Sequence, residues 1–188
     1  QYFKEKYQII SNDLLYFSYC LQKSYIELNE KPKFEHLNIG LEIEEYINKS
    51  NYSEEGFIFK NYSPGGPDNR KYLSEENAKR IDGIRSRFNK WFKDKKISKY
   101  EFFYLVSILI EATPFVSNIA GTYGAYLKNW DKRSFKDIKF NPLNIINNKN
   151  KNKCYNEDSN NLIKKIEGDI LYLDPPYNSR QYLPNYHL

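Results

Sequence analysis

Ile170-Leu171-Tyr172-Leu173-Asp174-Pro175-Pro176-Tyr177 is an apolar run that ends in an acid, two prolines and an aromatic ring. The run predicts a buried strand over 169–173, and ligands in open α/β sheets bind beyond the carboxyl ends of the strands, where Asp174 falls. Proline fixes φ and biases the preceding residue toward extended backbone. The pair can thus hold the Asp174 carboxylate, a backbone carbonyl and the Tyr177 ring in one rigid arrangement. Carboxylate and carbonyl are both acceptors and match an exocyclic NH2 group, while the ring offers a face on which a planar base can stack. The partner implied is an amino-bearing base. The plainer reading is a strand-ending turn with Tyr177 packed as core.

Working outward, a short strand is expected around 153–156 and a helix from Ser159 to about Ile166, so strand, helix and strand suggest a parallel sheet. Near the other end, residues 7–12 form an apolar, β-branched run that stops at Asn12-Asp13. A helical pattern of Leu14, Phe17, Leu21, Tyr25 and Leu28 follows. Between these pieces the reading is mainly helical. Phe34 to Lys49 is an expected helix, and Tyr62-Ser63-Pro64-Gly65-Gly66-Pro67-Asp68-Asn69 is a loop. From Ser74 a long helix carries the stripe Ala78, Ile81, Ile84, Phe88 and Trp91, with Lys79, Arg80, Arg87 and Lys90 largely off it. Ser98 and Glu101 form a capping box for a helix that is apolar nearly all round and should be buried, ended by Pro114. Ala120-Gly121-Thr122-Tyr123-Gly124-Ala125-Tyr126 reads as a loop, and the Asn- and Lys-rich stretch 144–153 as a solvated connection.

Composition bounds what such a chain can be. With 188 residues, a net charge of +5, 40% hydrophobic and 17% aromatic residues, it holds one domain, or a core with an insertion, and is not disordered as a whole. No run approaches the roughly 18 apolar residues of a membrane span, and the start lacks a signal-peptide pattern, so a cytoplasmic protein is expected. Cys20 and Cys154, with His36 and His187, make neither a disulfide framework nor a zinc site, and no metal is expected. Methionine is absent, Gln1 opens within what looks like a helix end, and Asn185-Tyr186-His187-Leu188 stops without a terminal signal. Both ends read as cuts.

Several separate segments together resemble the Dam-type DNA adenine-N6 methyltransferases, which use S-adenosylmethionine and carry Asp-Pro-Pro-Tyr. They are Ile9-Ile10-Ser11-Asn12-Asp13-Leu14, Asn156-Glu157-Asp158, and Asp174-Pro175-Pro176-Tyr177-Asn178-Ser179-Arg180-Gln181-Tyr182 with Asn185-Tyr186-His187. Ser63-Pro64-Gly65-Gly66 and Ala120 to Lys128 resemble a subgroup of that family. The resemblance implies an α/β fold: a partial Rossmann-like methyltransferase sheet in residues 1–33 and 131–188, and a mainly helical target-recognition insertion in 34–130. The family's Phe-x-Gly-x-Gly loop would precede the Asn-Asp segment and is not in this chain. A truncated relative follows as an expectation, one that neither binds cofactor nor methylates DNA alone and that shows a gap, or direct pairing, between the second strand and 169–173.

Under that resemblance Asp13 would bind the cofactor ribose and Asp158 the cofactor adenine, each with helix N-capping as its rival role. Asp174, Pro175, Pro176 and Tyr177 would form the catalytic site, Asp174 also bordering the cofactor. Hydrogen bonds from the target amino group to the Asp174 carboxylate and the Pro175 carbonyl would localise the nitrogen lone pair, on a base flipped out of the duplex and stacked on Tyr177. Asn178, Arg180, Tyr182 and Tyr186 would lie along the substrate. Residues 60–100 hold 12 Lys or Arg against 5 Asp or Glu, a net of +7, which suits phosphate contact. Arg70, Arg80 and Arg87 there, and Tyr123 and Lys128 beyond, are the candidates, with a solvated helix face as the alternative. The implied partners are double-stranded DNA and a cognate restriction endonuclease. A ribosomal RNA methyltransferase acting on an exocyclic amino group and a non-catalytic nucleic-acid-binding remnant remain as alternatives.

Overall fold

In the computed structural model, which describes residues 1–175, two short parallel strands stand beside a large helical body. β1 (Ile10–Asn12) pairs with β2 (Lys153–Tyr155) in a register that sets Ser11 opposite Cys154. Lys153 donates to the Ile9 carbonyl at 2.9 Å and Asp13 to the Tyr155 carbonyl at 3.3 Å, extending the ladder at both ends. Parallel neighbours need a crossover. Here it contains the whole helical body.

The expectation of a strand over 169–173 is wrong for the described structure. Ile170, Leu171, Tyr172 and Leu173 are 76, 61, 79 and 69% exposed and join no ladder. Strand preference is a fit to a paired, half-buried surface, so an apolar run with no hydrogen-bonded neighbour has nothing to hold it as a strand. In place of the expected gap or direct pairing, the sheet among the described residues consists of β1 and β2.

α1 (Tyr16–Gln22) follows β1 as expected and runs into a π-helical turn over Lys23–Glu27. The helix expected from Phe34 begins only at α2 (Ile43–Lys49). Phe34, Asn38 and Gly40 take φ of 56°, 49° and 64°, and left-handed residues cannot continue a right-handed helix. α3 (Phe57–Tyr62) precedes the expected Pro-Gly loop. α4 (Glu75–Lys93) is capped by Ser74, whose side chain accepts from the Asn77 N–H at 3.2 Å. Its expected stripe is buried, with Ala78, Ile81, Ile84, Phe88 and Trp91 at 6% exposure or less. α5 (Lys99–Ala112) carries the expected capping box: the Glu101 N–H donates to Ser98 at 3.2 Å and the Ser98 N–H to the Glu101 carboxylate at 2.6 Å. It gives way to a 3-10 turn, Thr113–Val116, that contains Pro114. α6 (Ser159–Leu162) is shorter than the expected helix to Ile166.

α5 is the central element, packed on α1 on one side and α4 on another. Toward α1, Phe103 meets Tyr19 edge-on at 5.4 Å, and the Ser107 hydroxyl lies 2.8 Å from that of Ser24. Toward α2, the Tyr104 hydroxyl donates to the buried Glu44 carboxylate. Gly83 of α4 lets the 52–53 backbone approach so closely that a Cβ there would stand 2.4 Å from the Ser53 nitrogen. Beside it, buried Asp82 caps α3 by accepting the Ile58 and Phe59 N–H groups at 3.0 and 2.7 Å.

The segment from the 3-10 turn Lys132–Phe135 to Leu143 is held without a sheet. Asn77 donates to the Ser134 and Lys136 carbonyls at 3.0 and 2.9 Å and accepts the Ile138 N–H at 3.1 Å. Asn48 donates to the Phe140 carbonyl and accepts the Phe140 N–H, both at 2.9 Å. Ile138, Phe140 and Leu143 thereby enter the same apolar core as α2, α4 and α5.

Candidate functional site

The carboxyl ends of β1 and β2 bring together the two acids that the sequence singles out. Asp13 follows β1, and its carboxylate accepts the Leu15 N–H at 2.8 Å and the Ser18 hydroxyl at 2.6 Å, which fixes the entry to α1. Asp158 caps α6: Oδ1 accepts from the Asn160 and Asn161 N–H groups at 2.8 and 3.3 Å, while Oδ2 takes no hydrogen bond among the described residues. A carboxylate has about four acceptor positions, so both acids keep capacity for a ligand donor. Asp13 is half-buried and Asp158 exposed.

Two asparagines tie these loops to each other, and their role was not legible in the sequence. Asn12 donates to the Glu157 carbonyl at 2.9 Å and to Ser159 at 3.0 Å, and accepts the Glu157 N–H at 3.2 Å. Asn156 returns the connection, donating to the Asp13 and Leu14 carbonyls at 2.7 and 3.0 Å. The sequence signal was only their place at the ends of two expected strands. A side-chain amide that pairs with backbone across a sheet end fixes the separation of the two loops.

Beneath this edge, Cys154 is buried. Its thiol accepts from Ser11 at 3.2 Å and donates to the Gln22 carbonyl at 3.3 Å, and burial pushes it up to about 11. A cleft of about 460 Å³ lies along α1, lined in part by Ser18, Gln22, Tyr25 and Glu111, and includes none of the three candidate acids.

Asp174 and Pro175 are exposed, and Asp174 makes no hydrogen bond or ion pair among the described residues. Pro176, Tyr177, Asn178, Arg180, Tyr182 and Tyr186 lie outside the described residues.

The candidates on the helical body divide by what their polar groups already do. Arg80 is half-buried: it donates to Ser50 at 3.3 Å, to the Tyr52 carbonyl at 3.2 Å and to the Ile47 carbonyl, satisfying the C-terminal turn of α2. Tyr123 is 8% exposed, its hydroxyl 2.9 Å from Ser117, and burial pushes it up to about 12. The Arg80 guanidinium is thus engaged by backbone, and the Tyr123 ring lies inside the core. Arg87 stacks over the Tyr52 ring at 4.4 Å, Arg70 pairs with Asp68 at 2.8 Å, and Lys128 is exposed.

Among the described residues no three His, Cys, Asp or Glu side chains cluster as a metal site, and no helix is long and apolar enough to cross a membrane.

A family model described as D12 class N6 adenine-specific DNA methyltransferase matches residues 1–188. The Type II methyltransferase M.FokI of Planomicrobium okeanokoites is 54% identical over 190 residues, covering 99% of this chain and 29% of the relative. The modification methylase StsI of Streptococcus sanguinis is 47% identical, covering 100% and 29%. The Type II methyltransferase M.NlaIII of Neisseria lactamica is 38% identical, covering 96% and 52%. The chain thus spans about 29% of the length of the first two relatives. No solved structure matches it.

Proposed function

The chain belongs to the D12 class N6 adenine-specific DNA methyltransferases, and from that premise we propose that the full-length protein transfers a methyl group from S-adenosylmethionine to the N6 amino group of a specific adenine in duplex DNA, in the Dam-type manner and with the base flipped out. S-adenosylmethionine supplies, when bound, an activated sulfonium methyl group. The observation that carries the reading is the cross-tied strand end, where Asp13 and Asp158 follow adjacent parallel strands and both retain acceptor capacity. Donor-rich groups, a ribose diol at Asp13 and an adenine amino group at Asp158, fit that chemistry.

On this reading Asp174 and the Pro175 carbonyl accept the two N–H groups of the target amine. That localises the nitrogen lone pair and stabilises the positive charge that develops on nitrogen, whose proton then passes by way of the Asp174 carboxylate to water. Pro176 fixes the backbone, and Tyr177 stacks on the flipped base. Asn178, Arg180, Tyr182 and Tyr186 line the base and its strand. Residues 1–33 and 131–188 belong to a Rossmann-like catalytic core, and 34–130 to the target-recognition region. The names of the relatives support a place in a restriction-modification pair, with a cognate endonuclease acting on the same DNA.

The test is Asp174→Ala in the full-length protein. Methyl transfer to duplex DNA is expected to vanish while S-adenosylmethionine affinity by calorimetry stays within a few-fold. A parallel loss of cofactor affinity would contradict the role given to Asp174.

A further inference from the structure

We propose that the elbow formed by the 3-10 turns Thr113–Val116 and Lys132–Phe135 is a contact surface for duplex DNA. Phe115 and Phe135 meet bases or sugars there, and Lys128, Lys132 and Lys136 meet phosphates. The proposal rests on the DNA reading above and assigns to it residues that the sequence reading, Lys128 apart, did not select.

The two turns pack against each other, yet Phe115 and Phe135 are 73 and 61% exposed. The half-exposed Trp130 lies 5.1 Å from the Phe135 ring. Several exposed rings grouped on one rigid surface, unlike a ring exposed singly, suit a site of contact. This surface is rigid. Asn118, fully buried, donates to the Lys71 and Leu127 carbonyls and accepts the Asp131 N–H, each at 2.9 Å. Asp131 in turn caps the second turn through the Arg133 N–H at 3.0 Å, and Asn77 holds the carbonyls of Ser134 and Lys136.

Charge selects the partner. Lys128, Lys132, Lys136 and Lys139 are exposed, and none forms an ion pair among the described residues. Asp131 is neutralised by Arg133 at 3.2 Å, leaving Asp137 against four lysines. On α4, by contrast, Lys79 pairs with Glu55, Arg80 is engaged by backbone and Arg87 by Tyr52. The turn between α4 and α5 has unpaired lysines too, but its rings Phe92 and Phe102 stack on each other at 4.8 Å. At the elbow presented rings and unpaired cations coincide, and a polyanion with stacked planar bases is complementary to both.

The experiment measures binding of a labelled duplex to the full-length protein across a salt series. Phe115→Ala with Phe135→Ala is expected to weaken binding about tenfold with the salt slope kept. Lys132→Gln with Lys136→Gln is expected to lower the slope of log K against log salt by about 2. Thermal melts of both variants should match wild type, since the side chains are exposed. Binding equal to wild type in both variants would overturn the elbow while leaving the methyltransferase reading intact. A wild-type protein that retains no duplex would overturn both. Equal affinity for an RNA duplex of the same sequence, lost equally in the variants, would overturn the assignment to DNA.

Discussion

The carboxylate of Glu27 accepts the backbone N–H of Cys154 at 2.8 Å, from the side of β2 that faces away from β1. Lys153 points its N–H at β1, so Cys154, one residue on, points its own outward, where a sheet edge would otherwise offer a free donor. The other carboxylate oxygen of Glu27 takes the Lys23 ammonium and, at 2.6 Å, the Tyr100 hydroxyl. One acid from a π-helical turn closes the outer edge of the sheet and joins it to α5.

Glu27→Ala should therefore destabilise the protein by about 1–3 kcal/mol, the cost of leaving a half-buried N–H without a partner. Glu27→Gln, which keeps an acceptor, should cost less. Chemical denaturation of both variants checks the order, and equal losses would show that the Cys154 contact is not what matters.

Acid should expose the same contact. Burial alone would raise the Glu27 carboxyl, but the hydrogen bonds from Lys23, Tyr100 and Cys154 prevail and hold it below the ordinary glutamate value of 4.5. A group depressed on folding contributes stability that is fully present above its unfolded value and is lost as the pH falls through the folded one. Stability should accordingly fall less steeply below pH 4.5 in Glu27→Gln than in wild type.

Arg80→Ala should lower stability by about 2 kcal/mol, because three acceptors at the end of α2 lose a charged donor. It should leave the salt dependence of DNA binding nearly unchanged. Arg85→Ala, an exposed residue 3.9 Å from Asp82, should leave the melting temperature within error.

Asn118→Asp replaces an amide that donates to two carbonyls with a group that repels them. It should cost at least about 2 kcal/mol and loosen the 119–131 loop. Hydrogen exchange at Leu127, whose N–H donates to the Asn118 carbonyl at 2.9 Å, reports the loop directly.

Local rules made α4 and α5 legible. Ser74, Ser98 and Glu101 are caps that act within three residues, and an apolar stripe needs only its own period. The beginning of α2 was not legible, because three left-handed residues break a pattern that still looks periodic. The strand at 169–173 failed for the opposite reason: its composition suits a strand, but a strand needs a neighbour. The asparagine ties were invisible because their partners are distant, Asn77 from Ser134 by 57 positions and Asn48 from Phe140 by 92. At the candidate site Asp13 and Asp158 were singled out through the family resemblance and their place after two expected strands, whereas the tie through Asn12 and Asn156 appears only when those strands meet.

That meeting spans a long reach of chain. Ser11 and Cys154, side by side in the sheet, are 143 positions apart. Closing a flexible loop of that size is slow and entropically costly, and two strands of three residues offer little in return. The helical body removes most of the cost: once α5 has packed on α1 and the 134–143 segment is tied down by Asn48 and Asn77, the search is confined to the short stretches flanking each strand. The body is then a scaffold in time as well as in space, and the strand end that carries Asp13 and Asp158 is expected to form last.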